Sequence, residues 1–359
     1  MTSQLERVDL AAIVRAALLA PSGDNCQPWR FVWDTTHLNV HFVPDRAESL
    51  YDAAQAASWI ALGAALVNMR LTAQELGWRM QIELFPANAA PDLAARISLE
   101  TTTPLRDPLC DAITTRCVNR RPYAASPLPD AVRDELQAAV QRTPNTQLDL
   151  VEHAREKSTL ARLASLNERL LFENRPLHDG LYRWLRWTAA ESSHSGDGMP
   201  IETLELAPLE RPGFRLLGSW TVARTAGLVG LTRALPLRTR QIYRRSAAIG
   251  LLSVSGSARE NIVAGGEALQ RLWLTCARRH VAFQPITGVV CLLWRCRLSG
   301  GDGLSPEHRR LIEAGGRTLD EAVPNSQGRM PIMLFRLGTA PAPSARAPRR
   351  PVDTVLTCR

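Results

Sequence analysis

The sequence predicts an α+β protein made of two related halves. Segments with the period of amphipathic helices alternate with short segments that alternate like strands. One helix pattern with its following strand recurs: GAALVNMRLTAQELGWRMQ at 63–81 aligns without gaps on GEALQRLWLTCARRHVAFQ at 266–284. The 359 residues also suffice for about two domains of roughly 150 residues. A chance match between two amphipathic helices is the alternative explanation of the repeat.

The first half contains two predicted helices and three predicted strands. A helix at 7–20 ends at Pro21, and RFVWDTTHLNVHFV contains two strands around a turn at 34–37. A second helix at 52–77 ends at Gly77, and RMQIELFP after it alternates like a strand.

The second half is longer and mostly helical by pattern. Helices are predicted from Pro129 onward and at 155–187, 258–280 and 305–322. VVCLLWRCRL (289–298) and MPIMLFRLG (330–338) are predicted to be buried strands, because both are short and apolar. The arginine-dotted stretch at 214–247 is amphipathic and interrupted by Pro236.

We therefore place the first half at 1–110 and the second at 111–340, with an insert at about 190–250. Residues 341–359 are Pro/Ala-rich and basic, and we expect an extended tail there.

Composition limits the class of protein. The net charge is +8, and Lys157 is the only lysine beside 42 arginines. Arginine suits phosphate and carboxylate partners, but an arginine-biased genome gives the same composition. No nucleic-acid module, secretory leader or run of about 18 apolar residues is present, so we expect no nucleic acid and no membrane as partners. Seven cysteines without a CxxC pair indicate a reduced, cytoplasmic protein without a metal site.

Common enzyme signatures are missing from the sequence. It has no GxGxxG, GxxxxGK[ST], HExxH or GxSxG segment. Dinucleotide-binding Rossmann folds, P-loop enzymes, zinc proteases of this type and α/β-hydrolases are thereby disfavoured, and no catalytic acid–base pair stands out.

The first candidate site is PSGDNCQPW at 21–29. Gly23 lets backbone amides approach a ligand, and Ser22, Asn25 and Gln27 offer donors and acceptors for a polar ring edge. An Asx-type turn before a strand is an equally good interpretation of these residues alone.

The second candidate is RCVNRRPY at 116–123. Three arginines within six residues can bind a phosphate by bidentate hydrogen bonds. Taken alone, a solvated basic turn is the commoner explanation. QPITG at 284–288 and the pair Arg349–Arg350 are further candidates, with an ordinary turn and a disordered basic end as their alternatives.

These segments together resemble the nitroreductase family of FMN-dependent oxidoreductases. PSGDNCQPWRF is similar to the family's PSSxNxQPWxF segment, ITTRCVNRRPY to its Arg-x-Ser-x-Arg phosphate motif, and LTCARRHVAFQPITG to its helix and Pro-Ile-x-Gly turn. The terminal strand and basic tail also look like the family's. The resemblance spans most of the chain and is weakest at 190–250.

The resemblance implies a nitroreductase-like fold, with a mainly antiparallel sheet flanked by helices in each half. Family members are dimers of shorter chains that hold FMN between subunits. In this sequence PSGDNCQPW precedes the arginine segment, so the chain looks like a fused, degenerate dimer with one FMN at the seam. A monomer or a homodimer of such chains is expected.

The resemblance carries over the following cofactor-binding residues: Ser22, Gly23, Asn25, Gln27, Arg116, Asn119, Arg120, Pro285, Ile286, Thr287, Gly288, Arg349 and Arg350. One position departs from the family, because Val118 replaces the hydroxyl between the two phosphate arginines. Asn119, Arg121 or the Arg349–Arg350 pair would have to supply the lost hydrogen bond.

The insert at 190–250 has two interpretations that the sequence does not separate. It is either a lid over the flavin ring or a pair of surface helices. As a lid it would contribute Trp220, Arg238, Arg240 or Tyr243.

The activity implied by the resemblance is hydride transfer from NAD(P)H through FMN to a nitroaromatic, a quinone or a similar small acceptor. Two alternatives stay open. One is a flavin-dependent dehydrogenase or oxidase of a biosynthetic intermediate, and the other is a non-enzymatic FMN storage protein with a closed lid.

Overall fold

The structure, a computed structural model, describes residues 7–228 and 230–359. Residues 1–6, which include most of the segment considered for a secretory leader, and Val229 lie outside the described residues. The helices are α1 (Arg7–Leu18), α2 (Pro44–Ala47), α3 (Ala56–Glu75), α4 (Cys110–Thr115), α5 (Asp130–Gln141), α6 (Ala154–Ala164), α7 (Leu166–Glu173), α8 (Arg175–Arg183), α9 (Ala189–Ser195), α10 (Arg211–Leu216), α11 (Trp220–Leu228), α12 (Leu231–Arg244), α13 (Arg259–Arg278), α14 (Thr287–Ser299) and α15 (Pro306–Ala322).

Two larger sheets are present, together with a small two-stranded one. The strands are β1 (Trp29–Trp33), β2 (His37–Phe42), β3 (Trp78–Leu84), β4 (Leu93–Thr101), β5 (Thr146–Val151), β6 (Leu185–Arg186), β7 (Met199–Pro200), β8 (Ala248–Val254), β9 (Ala282–Ile286), β10 (Met330–Gly338) and β11 (Leu356–Cys358). The first sheet has the order β11-β1-β2-β4-β3 and is antiparallel except for the pair β1–β11. The second has the order β5-β8-β10-β9 and is antiparallel throughout. The α+β class with mainly antiparallel sheets is thus confirmed.

Helices α3 and α13, which carry the internal repeat, pack on each other at its glycines. A Cβ added to Gly63 would lie 2.0 Å from the carbonyl oxygen of Val263, and one added to Gly266 would lie 2.2 Å from that of Ile60. Only glycine permits so close an approach of the two backbones. The equivalent residues of the repeat therefore face each other across one helix crossing. The pseudo-twofold relation of whole halves stays a prediction that this crossing supports.

Helix α3 is also the one described segment long and apolar enough to be considered for spanning a membrane, as Ala53–Glu75. In the fold, 83% of the most apolar stretch of this segment is buried inside the protein. A core helix has the same composition, and its packing against α13 identifies α3 as one.

The prediction of a strand at 289–298 is wrong, because these residues belong to helix α14. Residues Val289–Trp294 are all buried, and a short apolar run without periodicity fits a buried helix as well as a strand. Gly300, in the left-handed conformation with φ 58°, ends the helix. The preceding strand is β9, which pairs with β10.

The long helix predicted at 155–187 is three helices, α6, α7 and α8. The last break has a local cause, since the side chain of Asn174 accepts a hydrogen bond from the Leu177 amide (3.1 Å) and Pro176 occupies the first turn of α8. These are the usual signals of a helix start. Strands β4, β5 and β8 were not assigned from the sequence.

Candidate cofactor site

A cavity of about 340 Å³ is lined by residues from both the N-terminal and the C-terminal parts of the chain. This volume falls in the range of about 300–1,000 Å³ that is usual for small-molecule sites. The loop at 21–25 and the first turns of α3 line it from the first half. The segment 113–120, helix α13 and the start of α14 line it from the second half, and tail residues 345–349 complete the wall.

The structure brings together most, though not all, of the residues carried over from the family. Those that line the cavity are Ser22, Gly23, Asn25, Arg116, Arg120, Pro285, Thr287, Gly288 and Arg349. Those outside its lining are Gln27, Asn119, Ile286 and Arg350, together with the lid candidates Trp220, Arg238, Arg240 and Tyr243.

The loop at 22–27 is held in an unusual backbone conformation. Asp24, Asn25 and Gln27 have φ values of 48°, 58° and 49°, in the left-handed region that non-glycine residues rarely adopt. The Ser22 hydroxyl accepts a hydrogen bond from the Gln27 amide at 3.0 Å. Such strain persists where the surroundings fix it, and it concentrates at ligand sites.

Asn25 combines an anchoring role with a free acceptor. Its Nδ2 donates to the carbonyl oxygens of Gly198 (3.0 Å) and Pro348 (2.9 Å). Its Oδ1 is buried and has no partner among the described residues. A buried acceptor without a donor is costly, so this atom suits a ligand N–H.

Gln27 and Asn119 fasten the tail instead of facing the cavity. Gln27 Nε2 donates to the Gly196 carbonyl at 2.9 Å, and its Oε1 accepts from the Arg350 amide at 3.1 Å. Asn119 Nδ2 donates to the Pro341 carbonyl at 2.8 Å. These contacts join segments that are far apart in the sequence. The two residues could therefore be predicted as site candidates from the sequence, but their hydrogen-bond partners could not.

Three arginines form what we call the cationic end of the cavity: Arg116, Arg346 and Arg349. The guanidinium of Arg116 lies 4.4 Å from the ring centre of Trp273, and its Nη2 donates to the Leu19 carbonyl at 2.8 Å. The Nε atoms of Arg116 and Arg349 are buried without hydrogen-bond partners in the described part of the chain. Arg346 donates to the Thr114 carbonyl at 2.8 Å.

The cationic end has no ion-pair partner in the part of the chain that the structure describes. Burial, with the charges of Arg349 and Arg346 nearby, lowers the pKa of Arg116 to about 9. Burial lowers the pKa of Arg349 to about 10. Within residues 7–228 and 230–359, no carboxylate forms an ion pair with Arg116, Arg346 or Arg349. Like charges with buried, unbonded N–H groups on Arg116 and Arg349 form a favourable environment for an anionic ligand.

Arg120 lies apart from this cluster. Its Nη1 donates to the Thr203 carbonyl at 3.0 Å, and Asp24 is among the charges near it. Of the replacements expected for the hydroxyl lost at Val118, Arg349 lines the cavity, whereas Arg121 donates to Ser344 Oγ at 2.9 Å. Arg346 was missed, although it stands in the same basic tail.

Three residues that line the cavity form what we call the acidic end: Asp24, Tyr51 and Asn167. We include Glu168, which follows Asn167 in α7 but does not itself line the cavity. The Tyr51 hydroxyl donates to Asn167 Oδ1 at 2.7 Å. A Cβ added to Gly288 would lie 2.1 Å from the same oxygen, so a glycine is required where Asn167 meets the first turn of α14. Tyr51 and Asn167 could not be predicted from the sequence, because they come from distant segments that carry no motif.

The two carboxyl groups at the acidic end have raised pKa values, which favour their neutral forms. Burial raises the pKa of Asp24 to about 6, opposed by the positive charge of Arg120. Burial raises the pKa of Glu168 to about 7, and its Oε2 has no partner among the described residues. Titratable groups shifted toward neutrality are frequent at functional sites.

None of the residues predicted for a lid lines the cavity, whereas residues of α7, α8 and the 199–203 segment, which we call the cover, do. The covering side chains are Asn167 and Leu171 of α7, Leu181 of α8, and Met199 and Thr203. Trp220 packs against His178 at 5.3 Å, Arg238 pairs with Glu210, and buried Tyr243 lies 5.6 Å from the Arg336 guanidinium. Only the beginning of the insert at 190–250 therefore takes part in the cover. No cluster of metal-ligating side chains is found within the described residues.

Comparison with known proteins supports the resemblance to nitroreductases. No family model matches the chain. A Mycobacterium tuberculosis protein with the provisional name NAD(P)H nitroreductase acg is 24% identical over 357 residues, which cover 98% of this chain and 96% of that protein. The M. tuberculosis protein MT1398 is 24% identical over 341 residues, 94% of this chain and 47% of MT1398. The chain thus spans about half the length of that relative.

Among solved structures, the FMN-dependent nitroreductase NfnB from Mycobacterium smegmatis in complex with NADPH is similar over 68% of this chain and 94% of its own, with 13% identity and a TM-score of 0.37. So distant a likeness leaves the site to be judged on its own geometry. The chain is similar to acg over nearly the whole of both chains, and its motifs resemble those of nitroreductases.

Proposed function

We propose that this chain is an FMN-dependent oxidoreductase of nitroreductase type that uses NAD(P)H. The observation that carries the proposal is the cationic end, where the buried Nε atoms of Arg116 and Arg349 have no hydrogen-bond partner and the arginines form no ion pair among the described residues. A flavin mononucleotide supplies that partner, because its phosphate carries nearly two negative charges. The name of the relative acg agrees with this assignment.

The residues present fit the cofactor in three respects. Arg116, Arg346 and Arg349 would hold the phosphate. The free Oδ1 of Asn25 would accept a hydrogen bond from the flavin ring. The walls are otherwise largely apolar, with Leu269 and Trp273 among them, as a flat aromatic ring requires.

When bound, FMN would supply the transfer of hydride from NAD(P)H to an acceptor such as a nitroaromatic or a quinone. The chain itself would orient the ring through Asn25 and the amides of Thr287 and Gly288. Asn167, Leu171 and Met199 would limit the access of water from above. We place one FMN per chain, between the halves at 1–110 and 111–340.

A second candidate is FMN storage, and the cover favours it. Side chains of α7, α8 and the 199–203 segment line the same cavity as the cofactor-binding residues. A cover that stays closed over the bound ring would keep both NAD(P)H and acceptor out.

The test is an absorption spectrum of the purified protein with added FMN, before and after anaerobic NADPH and NADH. A perturbed flavin band that bleaches supports the reductase and identifies its donor. A perturbed band that stays yellow supports storage. If the FMN absorption band is not perturbed although circular dichroism shows folded protein, the cofactor assignment is overturned.

A further inference from the structure

The segment 209–245, which we call the arginine–leucine surface, carries almost all of the excess charge of the chain. It comprises α10, α11, α12 and their connections. Its sequence has eight arginines and a single acidic residue, Glu210, which gives a net charge of +7. The net charge of the whole chain is +8. Outside this segment the protein is therefore close to neutral.

The same segment exposes large apolar side chains. Leu209 is 95% exposed, Leu228 83% and Leu216 67%. Val222 and Leu237 are exposed as well, so five of the eight large apolar side chains exposed in the described part of the chain lie here. Exposed apolar residues concentrated in one segment mark an interaction site, whereas single ones are ordinary.

Several of the arginines are free to bind a partner. Arg224, Arg244 and Arg245 are exposed and form no ion pair with any residue that the structure describes. Two other arginines are paired: Arg238 with Glu210, the only acidic residue of the segment, and Arg211 with Glu202 outside it. Ion pairs with the residues that the structure describes therefore compensate only part of the cationic charge.

The inner side of the surface is firmly attached to the rest of the fold. The Tyr182 hydroxyl donates to the Phe214 carbonyl at 2.7 Å, and Tyr182 and Phe214 stack with ring centres 5.3 Å apart. His178 Nε2 lies 2.7 Å from the Leu217 carbonyl oxygen. The polar and aromatic contacts therefore face inward, where α8 supports α10.

We propose that the arginine–leucine surface binds the surface of an anionic lipid bilayer. Arginines beside exposed leucines on helices are the composition of segments that lie in the headgroup region. Anionic headgroups complement the charge of +7, and the acyl boundary takes up the leucines. A nucleic acid would use the arginines and leave Leu209 and Leu228 in water. A second copy of the segment would be repelled electrostatically, because it carries the same charge of +7. The proposal departs from the expectation of no membrane partner, which concerned spanning segments: the protein would lie on a membrane without spanning it. The proposal does not depend on the flavin.

Co-sedimentation with vesicles tests this proposal. We expect the full chain to bind vesicles of phosphatidylglycerol and phosphatidylcholine, to ignore vesicles of phosphatidylcholine alone, and to be released by salt. The triple variant Arg224→Gln, Arg244→Gln and Arg245→Gln should lower the partition coefficient by about 100-fold. Its matched control is the triple variant Arg155→Gln, Arg310→Gln and Arg317→Gln, which removes three exposed arginines elsewhere and should bind almost as the wild type does.

The leucines distinguish a bilayer from other anions. Leu216→Asn should lower binding roughly tenfold. Leu105→Asn, at a residue 61% exposed outside the segment, should leave it unchanged. Equal effects of the two arginine triples, or of the two leucine variants, overturn the proposal. Binding of a DNA duplex with an affinity that Leu216→Asn does not change would also overturn the proposal. So would a dimer, detected by sedimentation, that Leu216→Asn dissociates.

Discussion

The two ends of the cavity differ in how their buried ionisable groups are stabilised. At the cationic end, Arg116 and Arg349 form no ion pair with any described residue, and each has a buried Nε atom without a hydrogen-bond partner there. At the acidic end, the carboxyl groups of Asp24 and Glu168 are buried, and their pKa values are raised toward neutrality. An arginine cannot lose its proton at physiological pH, so the cationic end needs an anion from outside. A carboxyl group can be neutralised by a proton, so the acidic end needs none.

The largest effect is expected from removing the cationic end. Hydrogen bonds to charged groups contribute about 1.5–3 kcal/mol each, so Arg116→Gln or Arg349→Gln should weaken FMN binding roughly 10- to 100-fold. The double variant should lose on the order of 1,000-fold, measured by flavin fluorescence titration. Arg310→Gln, at an exposed arginine, is the matched control. Undiminished affinity in a folded double variant would place the phosphate elsewhere.

How far the sequence reveals this site depends on distance along the chain. The 22–27 loop, the arginine segment and the 285–288 turn were found because each is contiguous and similar to a family motif. Tyr51 and Asn167, joined by a hydrogen bond, are 116 residues apart and belong to no motif. Arg346 lies in a tail whose path over the cavity depends on bonds to Asn25 and Gln27.

The fold shows a similar division. Helix α13 was predicted from its amphipathic period, and α3 from apolar residues at helical spacing, although α3 is buried on most sides. Their repeat placed Gly63 and Gly266 in equivalent positions. The segment 289–298 was assigned wrongly, since a buried helix that is apolar on all sides has no amphipathic period. The lid candidates failed to line the cavity because the covering residues come mainly from α7 and α8, which carry no distinctive composition.

The second prediction concerns stability at the acidic end. The pKa of Glu168 is raised from 4.5 to about 7 on folding, so the unfolded chain releases this proton first and stability falls between about pH 4.5 and 7. Glu168→Gln removes this loss. It should raise the free energy of unfolding by on the order of 1–3 kcal/mol at pH 8 and by less at pH 5. Denaturant unfolding at both pH values measures the difference.

The control for this experiment is Glu307→Gln, at an exposed carboxylate that pairs with Arg169. An exposed pair contributes about 0–1 kcal/mol, with little change between the two pH values. A Glu168→Gln effect that is the same at pH 5 and pH 8 would contradict the buried, neutral carboxyl group.

The third prediction links the two ends through the cofactor. Asp24 lines the cavity, and its pKa of about 6 leaves it neutral below that pH and negatively charged above it. The charges that face it include Arg120, which opposes the shift, while Tyr51 and Cys291 are the nearby neutral groups. A negative charge in a cavity that binds an anion should weaken FMN binding roughly three- to tenfold at pH 8.

Asp24→Asn isolates this contribution. The ratio of the wild-type Kd to the variant Kd should be near one at pH 5 and rise as the pH passes about 6. The ratio is the useful quantity, because the FMN phosphate titrates in the same range and cancels from it. Asp302→Asn, at an exposed residue, should give a ratio near one throughout. A ratio that does not change with pH would show that Asp24 keeps its charge state.

The smallest effect is expected from the contact that fixes the cover to the acidic end. Tyr51 holds Asn167 against Gly288 through a hydrogen bond of 2.7 Å, and a hydrogen bond of this kind contributes about 0.5–1.5 kcal/mol. Tyr51→Phe should therefore loosen the cover and speed FMN release by roughly two- to tenfold in stopped-flow dilution. Tyr182→Phe is the matched control, because its hydroxyl donates to the Phe214 carbonyl at the same distance but away from the cavity. If both variants release FMN equally fast, the Asn167 contact does not restrain the cover. If only Tyr51→Phe speeds FMN release, the acidic end controls access to the flavin, whereas the cationic end determines its affinity.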